Sequence, residues 1–173
     1  YKCFNKLYYI YETSSEYVEG LINLIHAVDQ IPNAYLIIRF REALECKYDS
    51  LLKLLPQSEN YEIKTDGSFN EDLANSDILI SYSSTTIEEA LYQYKPVGLY
   101  GINTKFKFLE GSSNPPTKYS RNSVYYLEKN NLVEMIRNII IFHHQDKLNF
   151  DEVKDYIWPE SILNFTKFIN EKQ

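Results

Sequence analysis

The residues best suited to chemistry lie in Ser81-Tyr82-Ser83-Ser84-Thr85-Thr86-Ile87-Glu88-Glu89-Ala90-Leu91, where hydroxyl side chains crowd in front of a helical pattern. The first backbone N–H groups of a helix have no intrahelical partner, and the helix dipole is positive there, so a phosphate is favoured at such a place. Ser83, Ser84 and Thr85 are small enough to let an anion approach, and they add donors of their own. Thr85 and Glu88 also have capping-box spacing, which accounts for both without a ligand. Ile87, Ala90, Leu91 and Tyr94 mark the expected buried face, and at about 100° per residue Glu89 points nearly opposite it. A carboxylate one turn from a phosphate can accept hydrogen bonds from a ribose diol, and this reading of Glu89 is preferred to a plain surface charge.

Weaker candidates lie in other turns. Arg39 closes the run Leu36-Ile37-Ile38-Arg39, where it can pair equally well with a phosphate or with a carboxylate on a neighbouring loop. Thr13, Ser14 and Ser15 follow an earlier strand-like run and either line the same region or, preferably, cap the next helix. Tyr82, inside the hydroxyl cluster, and Gly101, at the start of the stretch after the next strand, are further weak candidates. Lys105, Lys107 and Lys118 fall in a long loop and would neutralise a leaving diphosphate, although loop lysines are mostly solvated.

Other chemistries lack their patterns. There is no G-x-x-x-x-G-K-[ST] and no G-x-G-x-x-G, and the chain has only 5 Gly, so P-loop and dinucleotide chemistry lose their usual support. No G-x-S-x-G surrounds Ser83 or Ser84, which removes the mark of a nucleophile elbow. His26 and the pair His143-His144 have no Cys or carboxylate at metal-ligand spacing, and a place near a helix end accounts for them. No metal and no cofactor are expected.

These side chains need a scaffold, and the hydrophobic pattern supplies one. Lys6-Leu7-Tyr8-Tyr9-Ile10-Tyr11 reads as a strand, and Thr13 with Glu16 as a capping box that starts a helix carrying Val18, Leu21, Ile22, Ile25 and Val28. Ala34-Tyr35-Leu36-Ile37-Ile38 is the next strand. There follow a helix from Cys46 to Leu55 stopped by Pro56, a strand from Tyr61 to Lys64, and a helix from Phe69 to Asn75 with a capping box at Ser68 and Glu71. Ile78-Leu79-Ile80-Ser81-Tyr82 leads into the hydroxyl cluster and a helix from Thr86 to Tyr94, then Val97-Gly98-Leu99-Tyr100 forms a strand. Residues 101–122 show no period, and a stretch that long is usually functional or mobile. Val124-Tyr125-Tyr126-Leu127 is a sixth strand, and Leu132, Met135, Ile136, Ile139 and Ile140 mark an amphipathic helix. Terminal helices are expected within 150–173, the last beginning near Pro159. Six strand–helix alternations predict an α/β fold with a Rossmann-like, doubly wound parallel sheet, in a single domain over 1–173.

Composition agrees with a packed domain. The chain has 173 residues, 44% of them hydrophobic, with 16 Tyr and 9 Phe to fill a core. Its net charge of −6 and the lack of a basic patch argue against nucleic acid as a partner. Cys3 and Cys46 are too few for a thiolate cage or disulfide scaffold, which fits a reduced, cytoplasmic protein, and no run approaches the length that spans a bilayer. The start at Tyr1, close to a strand, suggests a piece of a longer protein.

The stretch from Asn75 through Ser81-Tyr82-Ser83-Ser84-Thr85-Thr86-Ile87-Glu88-Glu89-Ala90-Leu91 to Lys95-Pro96-Val97 resembles the nucleotide-sugar site of GT-B glycosyltransferases, in their C-terminal half. The resemblance implies that Ser83 and Ser84 contact the donor's phosphate and that Glu89 holds its ribose. Where related transferases show Arg-His-Pro, this chain keeps Arg39 alone. It is also similar to UDP-N-acetylglucosamine 2-epimerases, whose turn carries Ser-Gly-Gly and whose first strand of this half ends in His-Arg. Here the turn is Ser83-Ser84-Thr85 and the strand ends in Glu12-Thr13, so transfer is favoured over epimerisation. Bacterial surface-polysaccharide transferases often carry the Ser-Ser form, as in capsule or lipopolysaccharide synthesis. The implied partners are a UDP-, GDP- or CMP-linked donor, a glycan or lipid-linked acceptor at the cytoplasmic membrane face, and a missing N-terminal domain. A noncatalytic binding module on the same fold is the further alternative.

Overall fold

A computed structural model describes residues 13–40, 47–101 and 109–157. The expected strand at 6–11, the residues Cys3 and Cys46, the lysines Lys105 and Lys107, and the expected helix from Pro159 lie outside the described residues. Within them the order is α1 (Ser14–Val28), β1 (Leu36–Arg39), α2 (Tyr48–Leu52), β2 (Tyr61–Lys64), α3 (Phe69–Ala74), β3 (Leu79–Ser81), α4 (Thr86–Tyr92), β4 (Val97–Tyr100), β5 (Val124–Leu127), a 3-10 turn (Lys129–Asn131), α5 (Leu132–Gln145) and α6 (Phe150–Val153).

The class is α/β with parallel strands. The described strands pair as β1-β2 and β3-β4-β5, and the expected first strand of the six lies outside the described residues. Leu36 pairs with Tyr61 and Arg39 with Lys64, while Val97 sits between Leu79 and Val124. Successive side chains of a strand face opposite ways, and here the two sets enter different cores. Tyr100, Tyr125 and Leu127 pack with Leu24 and Ala27 of α1 and with Met135, Ile136 and Ile139 of α5. Val97, Leu99 and Val124 pack with Leu73 of α3, with Ile87, Ala90 and Leu91 of α4, and with Val153 of α6. A third cluster joins Leu21 and Ile25 of α1 to Ile38, Phe40 and Leu51. Leu36, Ile78 and Ile80 all rest on the α1–α5 cluster, so the two sheets share a core without pairing.

Between β1 and β3 runs a groove of about 650 Å³ lined by Leu36, Ile37, Ile78, Ile80, Leu73 and Ile140. It is mainly apolar, with α1 and α5 on one side and α3 on the other.

The long connection after β4 has more structure than its lack of period suggests. Ser112 forms an isolated parallel bridge to Tyr125, receiving the Tyr126 N–H at 2.8 Å and donating to Val124 O at 3.0 Å. This covers the outer edge of β5, which would otherwise offer unpaired backbone groups. Gly111 permits the approach, because a Cβ there would lie 2.9 Å from the Val124 carbonyl oxygen. The Tyr126 hydroxyl accepts from Gly111 N–H and donates to Leu109 O, pinning the same stretch.

Two helices are shorter than their patterns predict. α2 spans only Tyr48–Leu52, and α4 stops at Tyr92. Tyr94, expected on the buried face of α4, lies beyond it at φ +56° and is exposed. The left-handed residue turns the chain so that Lys95 N–H reaches Ala90 O, which closes the helix end.

Candidate functional site

Parallel strands bring their carboxyl ends to one edge, and open α/β sheets bind ligands beyond that edge. Arg39 ends β1, Ser81 ends β3, and Gly101 follows β4, so three candidate turns share it. The N-terminus of α1 lies there too, because α1 descends from Thr13 to the loop that enters β1 at its amino end.

The turn between β3 and α4 departs from its expected capping. Thr85 already has helical backbone, φ −62° and ψ −19°, and its side chain makes no capping bond, so the Thr85–Glu88 box does not form. A capping side chain folds back only from an extended backbone. Ser84 takes over instead: its Oγ accepts the Thr86 N–H at 3.2 Å, and its carbonyl accepts from Ile87. Ser83 and Thr85 are exposed, Ser84 and Tyr82 half-buried. Glu89 is exposed, opposite the buried Ile87, Ala90 and Leu91, as its position on the helix predicts.

Tyr82 and Gly101 are brought together. The Tyr82 ring lies across the end of β4, where a Cβ on residue 101 would stand 2.2 Å from Cδ2. Glycine is therefore a condition for the ring to sit there. The pair places an aromatic face beside the serine turn.

Arg39 is occupied. Its guanidinium donates to Asp72 Oδ2 at 3.0 Å, to Gly67 O at 3.0 Å and to Asp66 O. Lys64 donates to Asp72 Oδ1 at 2.7 Å. Lys64, and after it Arg39, hold the Asp72 carboxyl below the usual carboxylate range, and Asp72 in turn raises the Lys64 ammonium. Of the two partners open to Arg39, the neighbouring carboxylate is the one it has. These residues line a second cleft, of about 520 Å³, around Gly67, Ser68 and Tyr48 at the ends of β1 and β2. Ser83, Ser84, Thr85 and Glu89 are not part of it.

Thr13 caps α1 in a complete box. Its Oγ1 accepts the Glu16 N–H at 3.2 Å, and Glu16 Oε2 accepts the Thr13 N–H at 2.8 Å. These bonds lower the Glu16 carboxyl. Ser14 and Ser15 are exposed on the first turn. Lys118 is exposed in the loop after β4. Among the described residues no group of His, Cys, Asp and Glu gathers as a metal site.

Sequence reasoning missed a buried cluster at the opposite, amino end of β5. The Tyr125 hydroxyl accepts from Asn122 N–H at 3.0 Å and lies 2.9 Å from His143 Nε2. Burial, and then the Arg121 charge, push the His143 imidazole below its ordinary value, and burial raises the Tyr125 phenol to about 12. Arg121 also binds Glu152, Asp146 and the Lys147 carbonyl, tying the strand's entry to α5 and α6. The one local signal was Asn149 with Glu152, whose capping box fixes the carboxylate that Arg121 uses.

Compared with known proteins, the chain matches no protein-family model, no curated protein and no solved structure.

Proposed function

We propose that the chain is the donor-binding half of a GT-B-like glycosyltransferase that moves a sugar from a nucleotide to a surface glycan. It would do so on a six-stranded, doubly wound sheet. The observation that carries this reading is the turn after β3. Ser84 alone does the capping, while the Ser83 and Thr85 hydroxyls stay exposed ahead of α4 and Glu89 stays exposed one turn on.

The chemistry follows from that arrangement. Glycosyl transfer breaks the bond between the sugar's anomeric carbon and the leaving phosphate, on which negative charge grows. Backbone N–H groups and hydroxyls fixed in advance stabilise that charge without reorganising. Ser83, Ser84 and Thr85 would hold the phosphate, Glu89 the ribose hydroxyls, and Tyr82 over Gly101 would flank the nucleotide. The base that deprotonates the acceptor would come from the N-terminal half, at the cytoplasmic face of the membrane.

A noncatalytic binding module on the same fold is the second reading, and Arg39 favours it. Asp72 already neutralises that guanidinium, so it brings less charge to a diphosphate than its position promises. Calorimetric titration with UDP, GDP, CMP and CDP tests the first reading. Saturable binding of one of them, weakened in Glu89→Ala and Ser83→Ala, supports a donor site. Heat from none of the four, with this chain or with a longer one that includes the other half, supports the module.

A further inference from the structure

His143 lies in the last turn of α5 and is only 5% exposed. The Tyr125 hydroxyl accepts the Asn122 N–H and stands 2.9 Å from His143 Nε2. A phenol that donates to Nε2 needs the neutral ring, whereas an imidazolium carries protons on both nitrogens and sets a donor against a donor. The phenol does not ionise to compensate, because burial has raised it to about 12. The Phe142 ring is edge-on to His143 with centroids 5.3 Å apart, and the Arg121 guanidinium lies 5.8 Å from the centre of Phe142. A charge on His143 would therefore form out of water and in the field of a fixed cation.

Arg121 also holds the corner between α5 and α6. It binds Asp146, Glu152 and, at 2.8 Å, the Lys147 carbonyl, and Ser123 Oγ donates to Glu152 O at 2.9 Å. Beyond these bonds the corner has Leu148 and Val153 in the core and a helix of four residues, too short to persist alone. α5 is anchored independently by Leu132, Met135, Ile136 and Ile139. The groups that act on the His143 charge are Arg121 before β5, Tyr125 on β5, Asp146 after α5, through its backbone and its carboxylate, and Glu152 on α6. The two carboxylates favour the charged ring but already bind Arg121, and burial together with Arg121 outweighs them. His144, the next residue, is exposed and faces Asp77 instead.

We propose that Tyr125, His143 and Arg121 form a pH-sensitive latch, which keeps residues 146–156 on the sheet while His143 is neutral and lets them open when it is protonated. In the open corner the ring meets water and takes its proton at the ordinary histidine value of about 6.5. Acid therefore favours the open form, and the latch is fully closed above that value. Opening also withdraws Tyr156, whose hydroxyl donates to Glu110 O at 3.1 Å on the stretch that returns to the edge of β5. α5 and the strands stay in place, so the opening is local. The latch does not depend on the nucleotide reading.

Amide exchange of the full chain at pH 7 and at pH 5, each taken relative to open-chain exchange at the same pH, tests it. The amides of Asp146, Glu152, Lys154 and Tyr156 are hydrogen-bonded within the corner. Their protection is expected to fall about tenfold at pH 5, within the roughly thirtyfold that one histidine of ordinary value allows there. Protection at residues 136–140 should hold. In His143→Gln, which keeps an acceptor for Tyr125 and does not titrate, the fall should vanish. No fall in the parent chain, an equal fall at 136–140, or a fall that persists in the variant would overturn the latch. Should the variant not fold, the ring-nitrogen shifts of His143 in the parent chain decide. Protonation in step with the loss of protection supports the latch; protonation with the corner still protected, or loss of protection around a neutral ring, contradicts it.

Discussion

Glu89 and Ser83 do little for the fold: both are exposed, and the buried face of α4 is complete without them. Their replacement by alanine is expected to leave the melting temperature within a degree or two, as for surface changes generally. Loss of a carboxylate that accepts ribose hydroxyls should weaken nucleotide binding about tenfold, the size of a charge-assisted hydrogen bond. A large drop in melting temperature in Glu89→Ala would show a structural role instead. Tyr125 and His143 behave oppositely. Tyr125→Phe leaves the Asn122 N–H and the His143 ring without the hydroxyl, and about 1–3 kcal/mol of stability should go with it, measured by urea unfolding. His143 is held neutral by burial, so the unfolded chain takes up its proton at a higher pH than the folded one does. Its stabilising share is complete above the ordinary histidine value of about 6.5 and is lost as pH falls below it. In His143→Gln the stability measured between pH 7 and 5 should flatten; an unchanged slope would place the acid sensitivity elsewhere. The depressed Asp72 and Asp146 carboxyls act lower, their share being lost only as pH falls through the carboxylate range.

At the scale of elements, the local signals that held are those complete within a few residues. Thr13 and Glu16 form the capping box their spacing predicts, and the strands at Tyr61–Lys64, Val97–Tyr100 and Val124–Leu127 stand where the sequence pattern puts them. Thr13→Ala should cost about 1 kcal/mol and fray the first turn of α1, seen as faster exchange at the Glu16 amide. The Thr85–Glu88 spacing misled because a capping box also needs an extended backbone at the cap, which residue types alone do not reveal. Arg39 was legible as a strand-end cation but not as a staple, since its partner Asp72 lies 33 residues away. In Arg39→Met the amides of residues 65–68 should exchange faster while those of α4 stay unchanged. If both respond, the Arg39 cleft and the serine turn are one site.

For the whole molecule, alternation of strand and helix was enough to read the α/β class and the parallel direction, because both follow from periodicity and connection length. How the strands divide into sheets, and the joining of Arg121 to α5 and α6, depend on residues distant in sequence. No helix among the described residues is long and apolar enough to cross a membrane. The proposed function divides the molecule into a nucleotide-binding edge with Ser83, Thr85 and Glu89 and a structural edge with Arg121, Tyr125 and His143. An amide-shift map of the chain, saturated with whichever of UDP, GDP, CMP or CDP binds, tests it most directly. A nucleotide seated at the carboxyl edge should shift the amides of residues 81–89 and 13–15 most and leave those of 121–123 and 143–149 still. Shifts centred on 65–72 or around Arg121, with residues 81–89 unmoved, would contradict it.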